Sequence, residues 1–248
     1  FTKDFKLIQQ RRDPTHANEG SDIVLPLMLD NIHQLLKSSN IDIKDVECIG
    51  IGVPGLLDRF TGVSKFSPNF LNWENVNVIS FFEEKLHVPT YIDNDVRMNL
   101  YGEWYFGAAK DKKNVVLLTL GTGLGSGVVI DGRVIYGATS CVGEIGHMNM
   151  YRDGRKCRCG SSGCLGRYVS AIGLVRSIRE KIEAGEKSIL SEWTNNDLDK
   201  ITAEMASKAF DEGDKVAVDT FRETGEILGF GLVNVINSSN MSPLYVAV

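Results

Sequence analysis

The stretch Glu144-Ile145-Gly146-His147, followed after nine residues by Cys157-Arg158-Cys159-Gly160-Ser161-Ser162-Gly163-Cys164, governs the interpretation of the whole chain. It contains three of the five cysteines and one of the four histidines. One histidine and three cysteines supply the four ligands that a closed tetrahedral Zn²⁺ site requires. The glycines permit turns sharp enough for three thiolates to converge. A disulfide or three unrelated buried thiols are the alternatives, and a disulfide is disfavoured because nothing marks the chain as secreted. The predicted metal ligands are His147, Cys157, Cys159 and Cys164.

A glycine-rich turn lies upstream, between two apolar runs that read as strands. Residues 115–120 form the first strand and 128–130 the second, with Gly121-Thr122-Gly123-Leu124-Gly125-Ser126-Gly127 between them. Glycine at alternate positions lets a backbone approach a ligand closely, and its N–H groups can hold phosphate oxygens. A tight turn without a ligand is the alternative. Neither a P-loop nor a dinucleotide-binding fingerprint is present.

Helices and strands alternate along the first part of the chain, which predicts a parallel or mixed sheet and an α/β fold. We expect a strand at 5–9, a helix at 23–36, a buried strand at 46–53, a helix at 76–86 and a strand at 90–93. Asn94 and Asp95 follow the last of these strands, where α/β sheets bind ligands. Asp95 is either the N-cap of the next helix or a catalytic carboxylate, and the two roles can coexist. Cys48 and Cys141 sit among apolar neighbours and are predicted to be core residues.

Composition restricts the class of protein. A chain of 248 residues is long enough for two modest domains, and 43% apolar with 24% charged residues is ordinary for a soluble globular protein. The net charge of −5 argues against a general nucleic-acid-binding surface. No apolar stretch of about 18 residues is present, so no membrane partner is predicted, and we expect a cytoplasmic location.

Taken together, these motifs resemble the ROK family of bacterial sugar kinases and sugar-responsive repressors, and its glucokinase-type members in particular. The most specific markers are residues 118–125 and the run from Gly143 to Cys164. The resemblance implies a two-domain actin/hexokinase-like (ribonuclease H-like) α/β fold with a central cleft. We expect a smaller α/β domain over residues 1–103, and a larger one over 104–248 that holds the zinc site and the phosphate hairpin.

The resemblance also implies a role for each candidate residue. Asp95 corresponds to the general base that takes the proton from the sugar hydroxyl attacking the γ-phosphate of ATP. His147 would bind sugar and zinc through its two ring nitrogens, which makes the zinc structural. Mg²⁺ would accompany ATP. The positions that match sugar-binding residues are Asn69, Asn94, Glu144 and His147, and those that match the phosphate-contacting hairpin are Gly121, Thr122 and Gly123.

The sequence departs from the family pattern in three places. Phe1 stands about where the family's opening Asp-x-Gly-Gly-Thr phosphate motif should have finished, and Val248 stands where the family continues through an adenosine-binding turn. We therefore expect a chain truncated at both ends. The zinc motif normally continues Gly-Cys-x-Glu with a sugar-binding Glu, and Gly166 occupies that position here. Losing one charge-assisted sugar contact costs about 1.5–3 kcal/mol.

Three functions are therefore weighed. The first is ATP-dependent phosphorylation of a hexose, with glucose and its 6-hydroxyl as the expected substrate and acceptor. The second is the sugar-sensing domain of a ROK transcriptional repressor, which would bind nucleic acid only through a helix-turn-helix preceding residue 1. The third is a degenerate member that binds sugar without phosphorylating it. For each, the resemblance implies a homodimer or homotetramer.

Overall fold

Residues 1–16 form neither helix nor strand in the computed structural model, which describes residues 1–67, 69–239 and 244–247. The strand predicted at 5–9 is therefore wrong. Phe5 has a φ of 58°, and Leu7 and Ile8 are exposed. Among the described residues no strand pairs with this segment, and an isolated strand has no stability of its own.

A parallel strand pair forms the centre of the first unit. Strand β1 (Ile49–Val53) pairs with β5 (Thr90–Asn94) in parallel, with Ile51 opposite Ile92. The crossover between them contains an antiparallel sheet of β2 (Leu56–Asp58), β3 (Val63–Phe66) and β4 (Glu74–Asn77), followed by helix α2 (Val78–Leu86). Helix α1 (Ser21–Ser39) precedes β1, and helix α3 (Asp95–Tyr105) follows β5. The alternation predicted from the sequence is confirmed.

The core of this unit joins the strand pair to two helices. Strand β1 turns Ile51 and Val53 inward, while helix α2 contributes its apolar face at period 3.6. The other buried members come from α1, β2, α2, β5 and the loops: Val24, Leu25, Leu57, Trp73, Val78, Phe82, Leu86, Val88 and Ile92. Cys48, predicted to be a core residue, is exposed in the loop before β1, and Cys141 is only partly buried, so that prediction is wrong.

A four-stranded mixed sheet forms the second unit. Strand β6 (Val115–Leu120) pairs antiparallel with β7 (Leu124–Ile130), which pairs antiparallel with β8 (Arg133–Val134). Strand β9 (Leu244–Ala247) lies parallel to β6 on its other side. The glycine-rich stretch thus forms a hairpin whose last paired residues are Leu120 and Leu124.

Helices α4 (Gly166–Val169), α5 (Ala171–Glu183), α6 (Ile189–Trp193), α7 (Ala203–Asp211) and α8 (Lys215–Ser239) complete this unit. One apolar cluster lies between the sheet, α4 and α8, and includes Leu118, Leu165 and Val235. A second lies among α5, α6, α7 and α8. Helix α8 is 25 residues long and takes part in both clusters.

The chain divides into two compact units whose boundary is crossed more than once. The first comprises Phe1–Tyr101 with Ala138–Cys141, and the second comprises Gly102–Gly137 with Val142–Val248. Helix α3 therefore begins in one unit and ends in the other. In the part of the chain that the structure describes, no helix is both long and apolar enough to cross a membrane.

Candidate functional site

Three thiols and one imidazole converge in the second unit. The ligand atoms of His147, Cys157, Cys159 and Cys164 all lie within 4.8 Å of one another. Cys159 Sγ lies 3.7 Å from Cys164 Sγ, and Cys157 Sγ lies 3.6 Å from His147 Nδ1. A tetrahedral Zn²⁺ with Zn–S bonds of about 2.3 Å separates two sulfurs by about 3.8 Å. The spacing is therefore compatible with a structural zinc site, and Nδ1 is the nitrogen of His147 that faces a sulfur.

Backbone geometry holds the cysteine-rich loop in this shape. Gly163 has a φ of +67°, and a Cβ on it would lie 1.7 Å from the carbonyl oxygen of Tyr151. Its N–H donates to the carbonyl of Arg155 at 2.8 Å, and its own carbonyl accepts from the N–H of Met150 at 2.8 Å. Only glycine fits a left-handed position against another strand of backbone. The turn that brings Cys164 to the other thiols thus depends on Gly163.

The side chain of Arg155 attaches this loop to the helices that follow it. Arg155 is 11% exposed, and its guanidinium lies 4.7 Å from the centre of the Tyr168 ring. Its Nη2 donates to Glu180 Oε2 at 2.6 Å, and Arg176 Nε donates to the other oxygen of the same carboxylate at 2.7 Å. Further acceptors of the Arg155 guanidinium are the carbonyls of Arg167 and Gly173 and the hydroxyl of Ser177.

The surroundings of Cys159 and Cys164 shift the pKa values of the two thiols in opposite directions. The backbone N–H of Ser161, with smaller effects from the neighbouring thiols and His147, outweighs burial and lowers the pKa of Cys159 to about 7. Burial, with the two other cysteines nearby, raises the pKa of Cys164 to about 12. A buried thiol ionises only when a positive charge replaces its lost hydration. Ionisation of Cys164 at neutral pH therefore depends on a cation in the cluster.

The second ring nitrogen of His147, Nε2, lies near a carboxylate. Glu144 Oε2 lies 3.8 Å from His147 Nε2, and both side chains are about half exposed, at 54% and 47%. Glu144 immediately precedes a single turn of 3₁₀-helix at Ile145–His147, and His147 is the last residue of that turn. The structure thus brings together Glu144 and His147, and leaves both accessible to a ligand.

Gly166 lies against this turn. A Cβ on Gly166 would lie 3.3 Å from the carbonyl oxygen of Gly146 and 3.4 Å from Leu124 Cβ. The first distance is tighter than most Cβ contacts, and the second lies at the limit of ordinary van der Waals contact. The absence of a side chain at 166 therefore lets the Ile145–His147 turn pack directly on the start of α4.

The glycine hairpin presents its backbone outward. Gly121, Thr122 and Gly123 are exposed, and a Cβ placed on either glycine would meet no atom within 4 Å among the described residues beyond its chain neighbours. Packing against the described residues therefore does not require glycine at these positions, whereas close approach of a ligand to the backbone would. The carbonyl of Gly121 accepts from the N–H of Ala171 at 3.0 Å, which joins the hairpin to the start of α5.

A cavity of about 410 Å³ opens beside this hairpin. Thr122 forms one wall, and the first three turns of α5 form another. The lining includes the apolar side chains of Ile172, Val175 and Ile201 and the guanidinium groups of Arg176 and Arg179. An apolar recess with cations at its edge suits a flat heteroaromatic ligand that carries negative charge.

In the first unit, Asn94 ends β5 and Asp95 begins α3. Asn94 Oδ1 accepts from the N–H groups of Val96 at 3.0 Å and Arg97 at 3.3 Å, and its Nδ2 donates to the carbonyl of Gly55 at 3.3 Å. Asn94 thus caps the helix. Asp95 is exposed, and its Oδ1 accepts from the N–H of Val96 at 3.0 Å. The carboxylate of Asp95 is available for chemistry because its neighbour performs the capping.

Asn69 lies on a different, exposed turn of the first unit, between β3 and β4.

Two arginines with many partners, Arg97 and Arg155, were not singled out from the sequence. Asp93 lies in strand β5 and Arg97 on the first turn of α3, so no helical spacing pattern links the two residues in the sequence. Arg155 lies two residues before Cys157, the first cysteine of the metal cluster, and its contacts are visible only in the folded loop.

Comparison with known proteins agrees with the resemblance. The ROK family profile matches residues 2–246. A xylose repressor of Caldicellulosiruptor bescii is 32% identical over 222 residues, which are 90% of this chain and 55% of the repressor. A glucokinase of Halalkalibacterium halodurans is 30% identical over 239 residues, 95% of this chain and 71% of that enzyme. The crystal structure of a Streptomyces griseus ROK family glucokinase with glucose and AMPPNP superposes with a TM-score of 0.80 at 29% identity, covering 94% of this chain and 72% of that one. The matched region thus covers 55% of the length of the repressor and 71% and 72% of the lengths of the two glucokinases.

Proposed function

This chain belongs to the ROK family and has its actin/hexokinase-like fold, and from that premise we propose that it phosphorylates a hexose with ATP. The proposed substrate is glucose and the proposed acceptor its 6-hydroxyl. The observation that carries the proposal is the exposed carboxylate of Asp95, which lies at the carboxyl end of a parallel strand. The neighbouring Asn94 caps the helix, so Asp95 is not needed for capping. The similarity to two glucokinases supports the same reaction class.

Asp95 is proposed to act as the general base. The 6-hydroxyl oxygen attacks the γ-phosphorus, the bond from that phosphorus to the β,γ-bridging oxygen breaks, and the hydroxyl proton passes to the Asp95 carboxylate. ADP leaves with the bridging oxygen. A weak base suffices, since phosphoryl transfer depends mainly on positioning and charge stabilisation.

The sugar and nucleotide are assigned to the residues that match the family's binding positions. Glu144 and His147 Nε2 are proposed to hold sugar hydroxyls, together with Asn69 and with the remaining amide hydrogen of Asn94 Nδ2. Gly121, Thr122 and Gly123 are proposed to contact phosphate, and the cavity beside Thr122 to receive the adenine ring. Mg²⁺ bound with ATP would neutralise charge on the transferring phosphoryl group.

Zinc is proposed to be structural and to be held by His147 Nδ1, Cys157, Cys159 and Cys164. With four protein ligands no position is open for water, so the ion orients His147 and does not activate a nucleophile. Reduced thiols of this kind fit the cytoplasm, which is the proposed location.

A coupled assay of ADP release over a panel of glucose, mannose, fructose, allose and N-acetylhexosamines tests the proposal. The protein expressed from its full gene is expected to turn over with glucose, and its Asp95→Asn variant to lose about a hundredfold or more in kcat while still binding sugar. Asp111→Asn, at an exposed loop position, is the matched control and should keep full activity. Absence of sugar-dependent ADP release by the protein expressed from its full gene would contradict the proposal.

A sugar-sensing repressor is the second candidate, and the 32% identity to a xylose repressor favours it. Gly166, in place of the family's sugar-binding Glu, favours a domain whose sugar recognition has changed, including a degenerate member that binds without turnover. Calorimetry separates these outcomes from the kinase. Sugar binding without sugar-dependent ADP release, combined with sugar-sensitive operator binding, identifies a repressor.

A further inference from the structure

A buried ion pair brackets the turn that carries Asn94 and Asp95. Arg97 is 5% exposed and Asp93 is 7% exposed. Arg97 Nε donates to Asp93 Oδ1 at 2.7 Å, and the N–H of Asn94 donates to the same oxygen at 2.7 Å. One carboxylate oxygen of Asp93 therefore accepts hydrogen bonds both from Asn94, at the start of the turn, and from Arg97, at its end. The turn is closed by charge-assisted bonds in addition to the helix cap.

The same guanidinium reaches a distant part of the chain. Arg97 Nη1 donates at 3.0 Å to the carbonyl of Ser140, 43 residues further on. Ser140 lies in the segment Ala138–Cys141, which belongs to the first unit although the residues on either side of it belong to the second. Ser140 has a φ of 58°, a left-handed conformation that a serine adopts only where its surroundings impose it.

Stability alone does not account for such a pair. Removing two charges from water costs about as much as their attraction returns, and apolar residues of similar volume often stabilise a protein at least as well. A planar guanidinium holds its N–H donors in a rigid arrangement, so it can donate to two acceptors in two fixed directions at once. A lysine would place its charge near Asp93 without matching both directions.

We propose that Arg97 is a positioning residue, which fixes the β5–α3 turn bearing Asn94 and Asp95 and anchors segment 138–141 to that turn. Arg97 does not itself touch substrate in this proposal. Its effect on the reaction rests on the proposed kinase function, whereas its effect on the turn and the segment does not. The two parts are therefore measured separately.

The experiment uses the protein expressed from its full gene, with variants Arg97→Lys and the double variant Asp93→Asn/Arg97→Met. The double variant removes both charges together, so that neither is left buried alone. Arg222→Met removes an exposed, ion-paired arginine of α8 and serves as the control. Amide hydrogen exchange is read for peptides covering 93–98 and 138–142, and kcat and KM are measured for sugar and for ATP.

Both Arg97 variants are expected to exchange faster at 138–142 and 93–98 than the wild type, with unchanged exchange in α7 and α8. In kinase assays kcat should fall about ten- to a hundredfold, because a misplacement near 1 Å has that effect, while KM for ATP stays within about twofold. Arg97→Lys should recover part of the loss of the double variant. Arg222→Met should match the wild type in every measurement.

Wild-type exchange in both peptides for the Arg97 variants would overturn the proposal, as would a kcat lowered only in proportion to the folded fraction. If the double variant fails to fold, Arg97→Lys alone decides, since it keeps a positive charge beside Asp93. If the wild-type protein shows no sugar-dependent ADP release, the proposed function fails, and the exchange data still test the anchoring.

Discussion

Arg155 Nη2 lies 2.6 Å from Glu180 Oε2 and thereby joins the cysteine-rich loop to helix α5. Arg176 approaches the other oxygen of the same carboxylate from within the helix and also lines the cavity beside the phosphate hairpin. One carboxylate thus connects the loop that holds the thiols with a wall of the proposed nucleotide pocket. Both ends of this connection lie in the second unit.

The first prediction concerns the pH dependence that this carboxylate confers. Burial raises the pKa of Glu180, but hydrogen bonds and charge from Arg176 and Arg155 outweigh burial and hold it below its ordinary value of 4.5. A pKa lowered in the folded state means that the ionised group stabilises the fold above 4.5, and that this contribution disappears as pH falls through the folded-state pKa. Denaturant unfolding of wild type and Glu180→Gln at a series of pH values should show a difference that is constant near neutral pH and shrinks in acid. Glu183→Gln, an exposed change on the same helix, should give no such difference, and a gap that widened in acid would contradict the sign.

The second prediction concerns the metal. We expect one Zn²⁺ per chain, a lower Tm after chelation, and loss of bound zinc in Cys164→Ser, because a tetrahedral site deprived of one thiolate binds far more weakly. Elemental analysis and calorimetric melting measure both quantities. Cys48→Ser changes an exposed thiol outside the cluster and should leave zinc content and Tm unchanged. A chain purified without metal, whose Tm does not respond to added Zn²⁺, would exclude a structural zinc site.

The third prediction separates two glycines of the same loop. Gly163→Ala should prevent the loop from closing and lower zinc content, because its Cβ would lie 1.7 Å from the Tyr151 carbonyl oxygen. Gly160→Ala also places a side chain at positive φ, but that Cβ would have no neighbour within 4 Å in the part of the chain that the structure describes, apart from the adjoining residues. It should cost only the strain of the left-handed conformation, about 1–2 kcal/mol in the free energy of unfolding. Zinc content and denaturant unfolding of both variants test this difference, and equal losses would show that conformational strain, not the close contact, is decisive.

The fourth prediction concerns Gly166 and sugar recognition. Gly166→Glu restores a carboxylate at the family's sugar-binding position and should raise glucose affinity by about tenfold or more, the worth of one charge-assisted hydrogen bond. The new Cβ requires the Gly146 carbonyl, 3.3 Å away, to move by a few tenths of an ångström. Gly166→Ala introduces the same contact without the carboxylate and isolates its cost. Titration calorimetry with glucose compares the three proteins, and a Glu variant that binds no better than the Ala variant would show that position 166 does not face the sugar.

Several features could be predicted from the sequence because neighbouring residues determine them. The set of metal ligands follows from ligand chemistry and short spacing, and in the structure the four groups converge. Strand β6 was predicted with its observed bounds, since a short apolar run closed by glycine is a strong local signal. The segment at 5–9 also contains three apolar residues but has no partner strand among the described residues, and a single sequence does not show whether a partner exists.

What the sequence by itself determined is the chemistry available: the cysteines and histidine, the glycine hairpin, the carboxylate after a strand, and through them the family. Only the tertiary structure decided how these groups are used. It turned Nδ1 of His147 to the sulfurs and Nε2 to Glu144, and it assigned the helix cap to Asn94, leaving Asp95 exposed. It also brought the carbonyl of Ser140 to Arg97 and the carboxylate of Glu180 to Arg155. The physical reason is that the Ser140 and Glu180 contacts join residues far apart in the chain, while the directions of the His147, Asn94 and Asp95 side chains are set by packing that no local pattern records.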